Sequence, residues 1–172
     1  MFENPAIAIS ELPRADDVDW QGLDPAYRRH RQMSSLLIMS GVALVLVMVT
    51  AFAGIPRLPM ILYWTLWLVV LAGLLAWPAI ALPKRGYVAR DKDILFRQGV
   101  IWRSVTAIPF NRIQHVETSS TPLDRRYDLA TLQLFTAGGS SGDLKIDGLN
   151  SATAEQLRVF VLGKAGASIE NA

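Results

Sequence analysis

From Gln32 to Pro83 the chain is apolar with a single interruption. Residues 32–56 carry no charge and neither do residues 58–83, with Arg57 standing between them. Each run exceeds the roughly 20 apolar residues that cross about 30 Å of hydrocarbon as a helix. The link Gly54-Ile55-Pro56-Arg57-Leu58-Pro59 is too short for a domain, and its glycine and prolines break a helix. The pattern predicts a transmembrane hairpin with spans at about residues 33–54 and 59–82, inside an apolar block 32–83. Pro78 is expected to kink or end the regular part of the second span.

After Arg85 the continuous apolar pattern gives way to short segments separated by turns, which is a β pattern. Tyr87–Arg90 reads as a first strand, Ile94–Arg97 as a second turned by Gln98-Gly99, and Val100–Ile108 as a third stopped by Pro109. Ile113–Thr118 reads as a fourth. In Ala130–Thr136, Ala130, Leu132 and Leu134 point one way and Thr131 and Gln133 the other. Gly138–Gly142 reads as a hairpin tip before a last strand, Asp143–Asp147, with Leu144 and Ile146 inward. Asn150 or Ser151 then caps a helix. Ala154, Leu157 and Val161 form its apolar stripe, with Phe160 beside them, and Gly163 is expected to stop it. The expected architecture is a membrane α-helical hairpin followed by an antiparallel β-barrel or sandwich with a C-terminal capping helix. The divisions are an N-terminal tail 1–31, the hairpin 32–83, a β domain 84–163 and a C-terminal tail 164–172.

Residues 1–26 have Pro5, Pro13, Gly22 and Pro25 and no sustained period, so they read as mostly irregular, with a short turn near Trp20. The alternation Ala6-Ile7-Ala8-Ile9 is that of a short strand or docking segment. Ala51-Phe52-Ala53 resembles a cleavage site, but the apolar run before it is longer than a signal-peptide core and begins too far into the chain. Uncleaved, these small residues, with Gly41, Ala43 and Gly73, let two helices approach closely.

Charge adds an orientation. Arg28, Arg29 and Arg31 precede the first span and Lys84 and Arg85 follow the second, five cations against the single Arg57 in the turn. Cations at span ends stay on the cytoplasmic side, so both termini are expected inside. Tyr63 and Trp64 near the outer end of the second span and Trp77 near its inner end fit interfacial aromatic belts. The formal net charge is only +2. Residues 84–172 hold twelve Lys/Arg against nine Asp/Glu, a balance suited to an anionic lipid surface and too weak for nucleic acid.

Candidate chemistry is sparse. The absence of cysteine excludes disulfides and thiolate metal sites. His30 sits among juxtamembrane arginines and reads as a surface or interfacial residue. His115 reads as a partly buried structural histidine sharing a strand face with Ile113 and Glu117, a pair too small for a zinc site. Gly138–Gly142 lacks the Lys-Ser/Thr and the following helix of a phosphate loop. Neither span contains Asp, Glu, Lys or His, the groups that transporters and proton pumps use. No catalytic residue, metal ligand or cofactor site is expected.

One set of motifs is more specific. Arg97-Gln98-Gly99-Val100 is followed by Ile108-Pro109-Phe110-Asn111-Arg112-Ile113-Gln114-His115-Val116. Then come Thr121-Pro122-Leu123-Asp124-Arg125-Arg126-Tyr127-Asp128-Leu129-Ala130-Thr131-Leu132 and Thr136-Ala137-Gly138-Gly139. In this order, behind a two-helix hairpin, they resemble the bacterial pleckstrin-homology-like (PH-like) domain of the YdbS type of small membrane proteins, over about residues 30–163. The segment before Ala130 departs from the family, being charged where relatives carry a leucine- and glycine-rich turn. The resemblance implies a partly open barrel or sandwich of about seven strands, with no known catalytic residues. It also implies a partner, a larger membrane protein carrying repeated domains of the same kind. No ligand carries over, because the bacterial domains lack the phosphoinositide-binding residues of the eukaryotic ones.

The expected function is therefore binding without catalysis: a module in the bacterial inner membrane that holds a membrane partner or senses the membrane surface. A second copy of the chain is a further candidate partner. The rival readings are an accessory subunit of a membrane enzyme or transporter, direct recognition of anionic lipid, and an extracytoplasmic domain. The candidate contact residues are Arg28, Arg29, Arg31, Lys84, Arg85, Arg125 and Arg126. Of these, Arg125 and Arg126 either belong to a local salt-bridged turn with Asp124 and Asp128 or face a headgroup or an acidic partner.

Overall fold

The computed structural model describes residues 18–52, 56–136 and 144–170. The expected segment Ala6–Ile9 and the hairpin tip Gly138–Gly142 lie outside the described residues. Two long helices come first, α1 (Ala26–Phe52) and α2 (Arg57–Ala81). Both are long and apolar enough to cross a membrane. Leu37, Ile38, Leu44, Leu62 and Val69 stand exposed along them, a surface that a water-soluble protein would bury. Two side-chain bonds join the pair: Trp67 Nε1 donates to the Met39 carbonyl at 3.2 Å, and Gln32 Nε2 to the Leu75 carbonyl at 3.1 Å.

Both helices begin ahead of their expected limits. α1 begins at Ala26, ahead of the apolar run, because the Asp24 carboxylate caps it by accepting from Ala26 N–H at 2.7 Å. The basic turn Arg28–Arg31 is thus helical. α2 begins at Arg57, with Pro59 tolerated in the first turn, where a backbone donor has no partner to lose. It continues past Pro78 to Ala81, then tightens into a 3₁₀ turn, Leu82–Lys84.

β1 (Gly86–Ala89) follows with only Arg85 between, then β2 (Asp93–Gln98) and β3 (Ser104–Pro109). These pair antiparallel in the order β1-β2-β3. β4 (Ile113–Ser119), β5 (Leu129–Thr136) and β6 (Leu144–Asn150) form a second antiparallel sheet in the order β4-β5-β6. Among the described residues there are six strands in two sheets, where the resemblance implies about seven, and these form no closed barrel. The third strand starts at Ser104 and not at Val100. Gly99 takes φ +107° and Gln98 pairs with Ser104, so residues 99–103 are the bend itself.

The core lies between the sheets and α4 (Ser151–Glu170). Ile94, Leu132, Leu134, Ile146 and Val161 are completely buried, and Phe110 nearly so. The expected alternation holds in β5: Ala130, Leu132 and Leu134 face the core while Thr131 and Gln133 are half-buried. Leu144 and Ile146 face inward in β6. Asn150 caps α4, its Oδ1 accepting from Ala152 N–H at 3.0 Å. Gly163 does not stop this helix. Nothing lies within 4 Å of where its Cβ would be and its φ is not positive, so the helix absorbs it and runs to Glu170. A mid-helix glycine costs about 1 kcal/mol relative to alanine.

His115 is exposed, contrary to the expectation that it is partly buried. A bulge between Ile113 and His115 interrupts the alternation, so Ile113 and Val116 face the core while His115 and Glu117 face out. The His115 ring packs on Phe135 with centroids 5.6 Å apart.

Candidate docking site at the hairpin–domain junction

The short segment before α1 is bound to the β domain. Gln21 exchanges two backbone hydrogen bonds with Tyr87 of β1, at 3.0 and 2.9 Å. The Arg97 guanidinium lies over the Trp20 ring, 4.7 Å from its centroid. Asp24 N–H donates to the Gly148 carbonyl of β6 at 2.9 Å. Residues expected to be irregular are therefore an added edge on the first sheet and a link to the second. Burial also pushes the Tyr87 phenol above its ordinary pKa.

The first turn of α1 is seated on the domain. Tyr27 is buried against Gly148, whose φ is +76°. A Cβ at Gly148 would stand 2.3 Å from Tyr27 Cγ, so the ring occupies the space that only glycine leaves open. One helical turn on, His30 stacks on Tyr27 with centroids 5.7 Å apart and meets the edge of Tyr127 at 6.0 Å.

The partner of His30 comes from α3 (Pro122–Arg126), a single turn held by a capping box. Thr121 Oγ1 accepts from Asp124 N–H, and Asp124 Oδ2 accepts from Thr121 N–H at 2.8 Å and from its hydroxyl at 2.7 Å. The other oxygen, Oδ1, lies 2.9 Å from His30 Nε2. Both side chains are 12% exposed. The approach suits a charge pair but is off the line of a hydrogen bond, and His30 Nδ1 is buried without a hydrogen-bond partner. His30, expected as a surface or interfacial residue, is thus a largely covered residue of the junction.

The pair also decides the fate of the charged turn. Asp124 is committed to Thr121 and His30, and Asp128 accepts from Asn150 Nδ2 at 3.1 Å. Asp128 takes φ +55°, the left-handed conformation that aspartate tolerates. Arg125 and Arg126 remain exposed, on a turn that His30 holds against the juxtamembrane end of α1.

The other expected contact residues gather at the same junction. Arg28, Arg29, Arg31 and Lys84 are exposed and Arg85 is half-buried. Arg28 and Arg85 line one cavity of about 420 Å³ with Pro78, Leu82 and Asp24, between the ends of the helices and the entering segment. Arg31 and Arg85 line a smaller one with Trp77 and Leu82. Sequence reasoning missed the Tyr27–Gly148 seat and the His30–Asp124 pair. A signal for the latter existed in Thr121-Pro122-Leu123-Asp124, which has the spacing of a capping box.

An apolar helical hairpin joined without a linker to a two-sheet domain capped by a C-terminal helix defines a membrane-associated PH-like module. The model of the bacterial PH domain family matches residues 35–165, hairpin and domain together, and the chain belongs to that family. It is also similar to the UPF0699 transmembrane protein YdbS of Bacillus subtilis (strain 168), 35% identical over 51 residues. That match covers 30% of this chain and 32% of the relative, so the chain spans about a third of its length. No solved structure matches the chain.

Proposed function

We propose that the chain crosses the bacterial inner membrane twice, with both termini and the PH-like domain on the cytoplasmic side. There it acts as a non-catalytic binding module that holds a partner membrane protein close to the leaflet. The observation that carries this reading is the seat of Tyr27 and His30 on Gly148 and Asp124. With Arg85 alone between the 3₁₀ turn after α2 and β1, that seat leaves the domain no freedom to swing away from the bilayer. A domain held at fixed height meets membrane-bound partners at high local concentration, so a weak contact suffices.

The outer face of α4 supplies a surface for such a contact. Val159, 59% exposed, lies on the side away from Ala154, Val161 and Ala165, and Leu162, 41% exposed, flanks it. Five cations at the inner ends against Arg57 in the turn support the orientation. The partner of best-fitting chemistry is a larger membrane protein carrying repeated domains of this kind, and a second copy of the chain is the alternative.

The test is recovery of the tagged full chain from membranes in mild detergent, beside a Val159→Asp/Leu162→Asp variant. A stoichiometric membrane protein recovered with the wild type and lost with the variant is expected. Recovery of the chain only as a homo-oligomer, or of the same partner with both proteins, would overturn the partner or its assigned surface. A co-purifying enzyme or transporter would identify the chain as an accessory subunit.

A further inference from the structure

The β2–β3 bend carries the most exposed apolar side chains of the β domain: Trp102 is 88% exposed and Ile101 75%. Val105, just inside β3, is 51% exposed. Tryptophan so placed is uncommon on a water-facing turn, and its amphipathic ring favours the headgroup layer of a bilayer.

Strand register locates this bend. β1 leaves the end of α2 at Gly86 and runs away from the helices, and β2 returns antiparallel, with Arg97 opposite Gly86. Gln98 and residues 99–103 therefore project beyond the start of β1, back toward the end of α2. The cavity at that place agrees, since Pro83 and Lys84 line it together with Gly99, Arg103 and Val105. The fold of the bend is specific. At Gly99 a Cβ would stand 1.7 Å from the Trp102 carbonyl oxygen, so only glycine closes it in this form.

The same cavity, about 300 Å³, is basic. Lys84, Arg97 and Arg103 line it, and no carboxylate is among its lining residues. The Arg97 Nε is buried with no hydrogen-bond partner.

From these placements we infer that the β2–β3 bend is a second membrane contact. Ile101 and Trp102 insert into the interfacial layer of the leaflet from which α2 emerges, and Lys84, Arg97 and Arg103 receive the phosphate of an anionic lipid. The occupant is the bilayer itself, because the apolar tip and the basic cavity are continuous with the end of the bilayer-spanning helix. The inference rests on the reading of α2 as spanning the membrane, and goes beyond it by assigning a lipid site to residues outside the arginine clusters. It ties the first sheet to the leaflet, as the Tyr27–His30 seat ties the second sheet to α1.

The chain has no native cysteine, so single positions can be labelled in the full-length protein. An environment-sensitive fluorophore is placed on Ile101→Cys, on Asp91→Cys in the β1–β2 turn at the distal end, and on Val69→Cys inside α2. Each protein is reconstituted into phosphatidylcholine vesicles, with and without about one-third phosphatidylglycerol, and quenched with bromine-labelled lipid. Position 101 is expected to emit to the blue of position 91 and to be quenched by the brominated chains, while position 91 is not. Quenching at 101 rises with phosphatidylglycerol, and the rise is lost in Arg103→Gln and at high salt. A water-exposed label at 101 beside a quenched label at 69 overturns the lipid contact and leaves the spanning reading intact. An unquenched label at 69 overturns the spanning reading itself. If inorganic phosphate added to phosphatidylcholine vesicles reproduces the effect of phosphatidylglycerol, the cavity is a free-anion site and the lipid assignment falls.

Discussion

Gly148→Ala tests the seat of α1 most directly, because two separate costs meet at one methyl group. The first is conformational. Gly148 has φ +76°, and a residue with a Cβ loses about 1–2 kcal/mol in the left-handed region. The second is steric. The new Cβ would lie 2.3, 2.4 and 2.8 Å from Cγ, Cδ1 and Cδ2 of Tyr27, so the ring must leave or the strand must shift. Overpacking of this kind costs about 1–3 kcal/mol. The expected loss in Gly148→Ala is therefore about 2–5 kcal/mol. Removing the ring separates the terms. In a Tyr27→Ala background only the conformational cost of about 1–2 kcal/mol remains, and the coupling between the sites is about 1–3 kcal/mol. The assay is urea unfolding of the full chain in nanodiscs, where the shift in midpoint at constant slope reports the stability change. An equal penalty for Gly148→Ala with and without the Tyr27 ring would refute the reasoning, because Tyr27 would not then rest on Gly148 in the membrane-bound protein.

Other parts of the fold give sharper or simpler outcomes. Thr121→Ala should cost about 1 kcal/mol as a lost helix cap. Asp124→Ala should cost about 1–3 kcal/mol more because it also removes the carboxylate beside the imidazole of His30; equal melting temperatures would show that the pair contributes nothing. Leu134→Ala, at a fully buried position, should cost about 2–5 kcal/mol in the same urea assay. Trp67→Phe should weaken the α1–α2 contact by about 0.6–2 kcal/mol, read as altered hairpin stability in mild detergent. In intact cells an impermeant thiol reagent should label Pro56→Cys and spare Lys145→Cys, and labelling at 145 would reverse the proposed orientation.

Those elements whose signal is local were legible in the sequence. The apolar runs on either side of Arg57 located the hairpin, and the alternation Ala130, Leu132, Leu134 located a half-covered strand. Asn150 was read as a cap because its chemistry acts on the next turn. Failures fell where distant contacts decide. Gly163 reads as a stop, yet the turn after it is held by Ala165 in the core. His30 looks like one more polar residue in a basic cluster, and its burial depends on a turn formed around Asp124, far along the chain. The bulge before His115 moved that ring to the outside, and no residue in Ile113-Gln114-His115 announces a bulge. Among the candidate contacts, Arg28, Arg31 and Arg85 line cavities at the junction. The tip Ile101-Trp102 was read as strand because both residues favour strands, and the bend at Gly99 displaces them from it.

The bonds from Gln21 to Tyr87 and from Asp24 to Gly148 impose an order on assembly. The ribosome produces Trp20–Asp24 before the hairpin, and the strand partners of that segment, Tyr87, Arg97 and Gly148, after it. The segment cannot dock until those strands have been made, so its long-range bonds close over a large span of chain, the kind of contact that forms slowly.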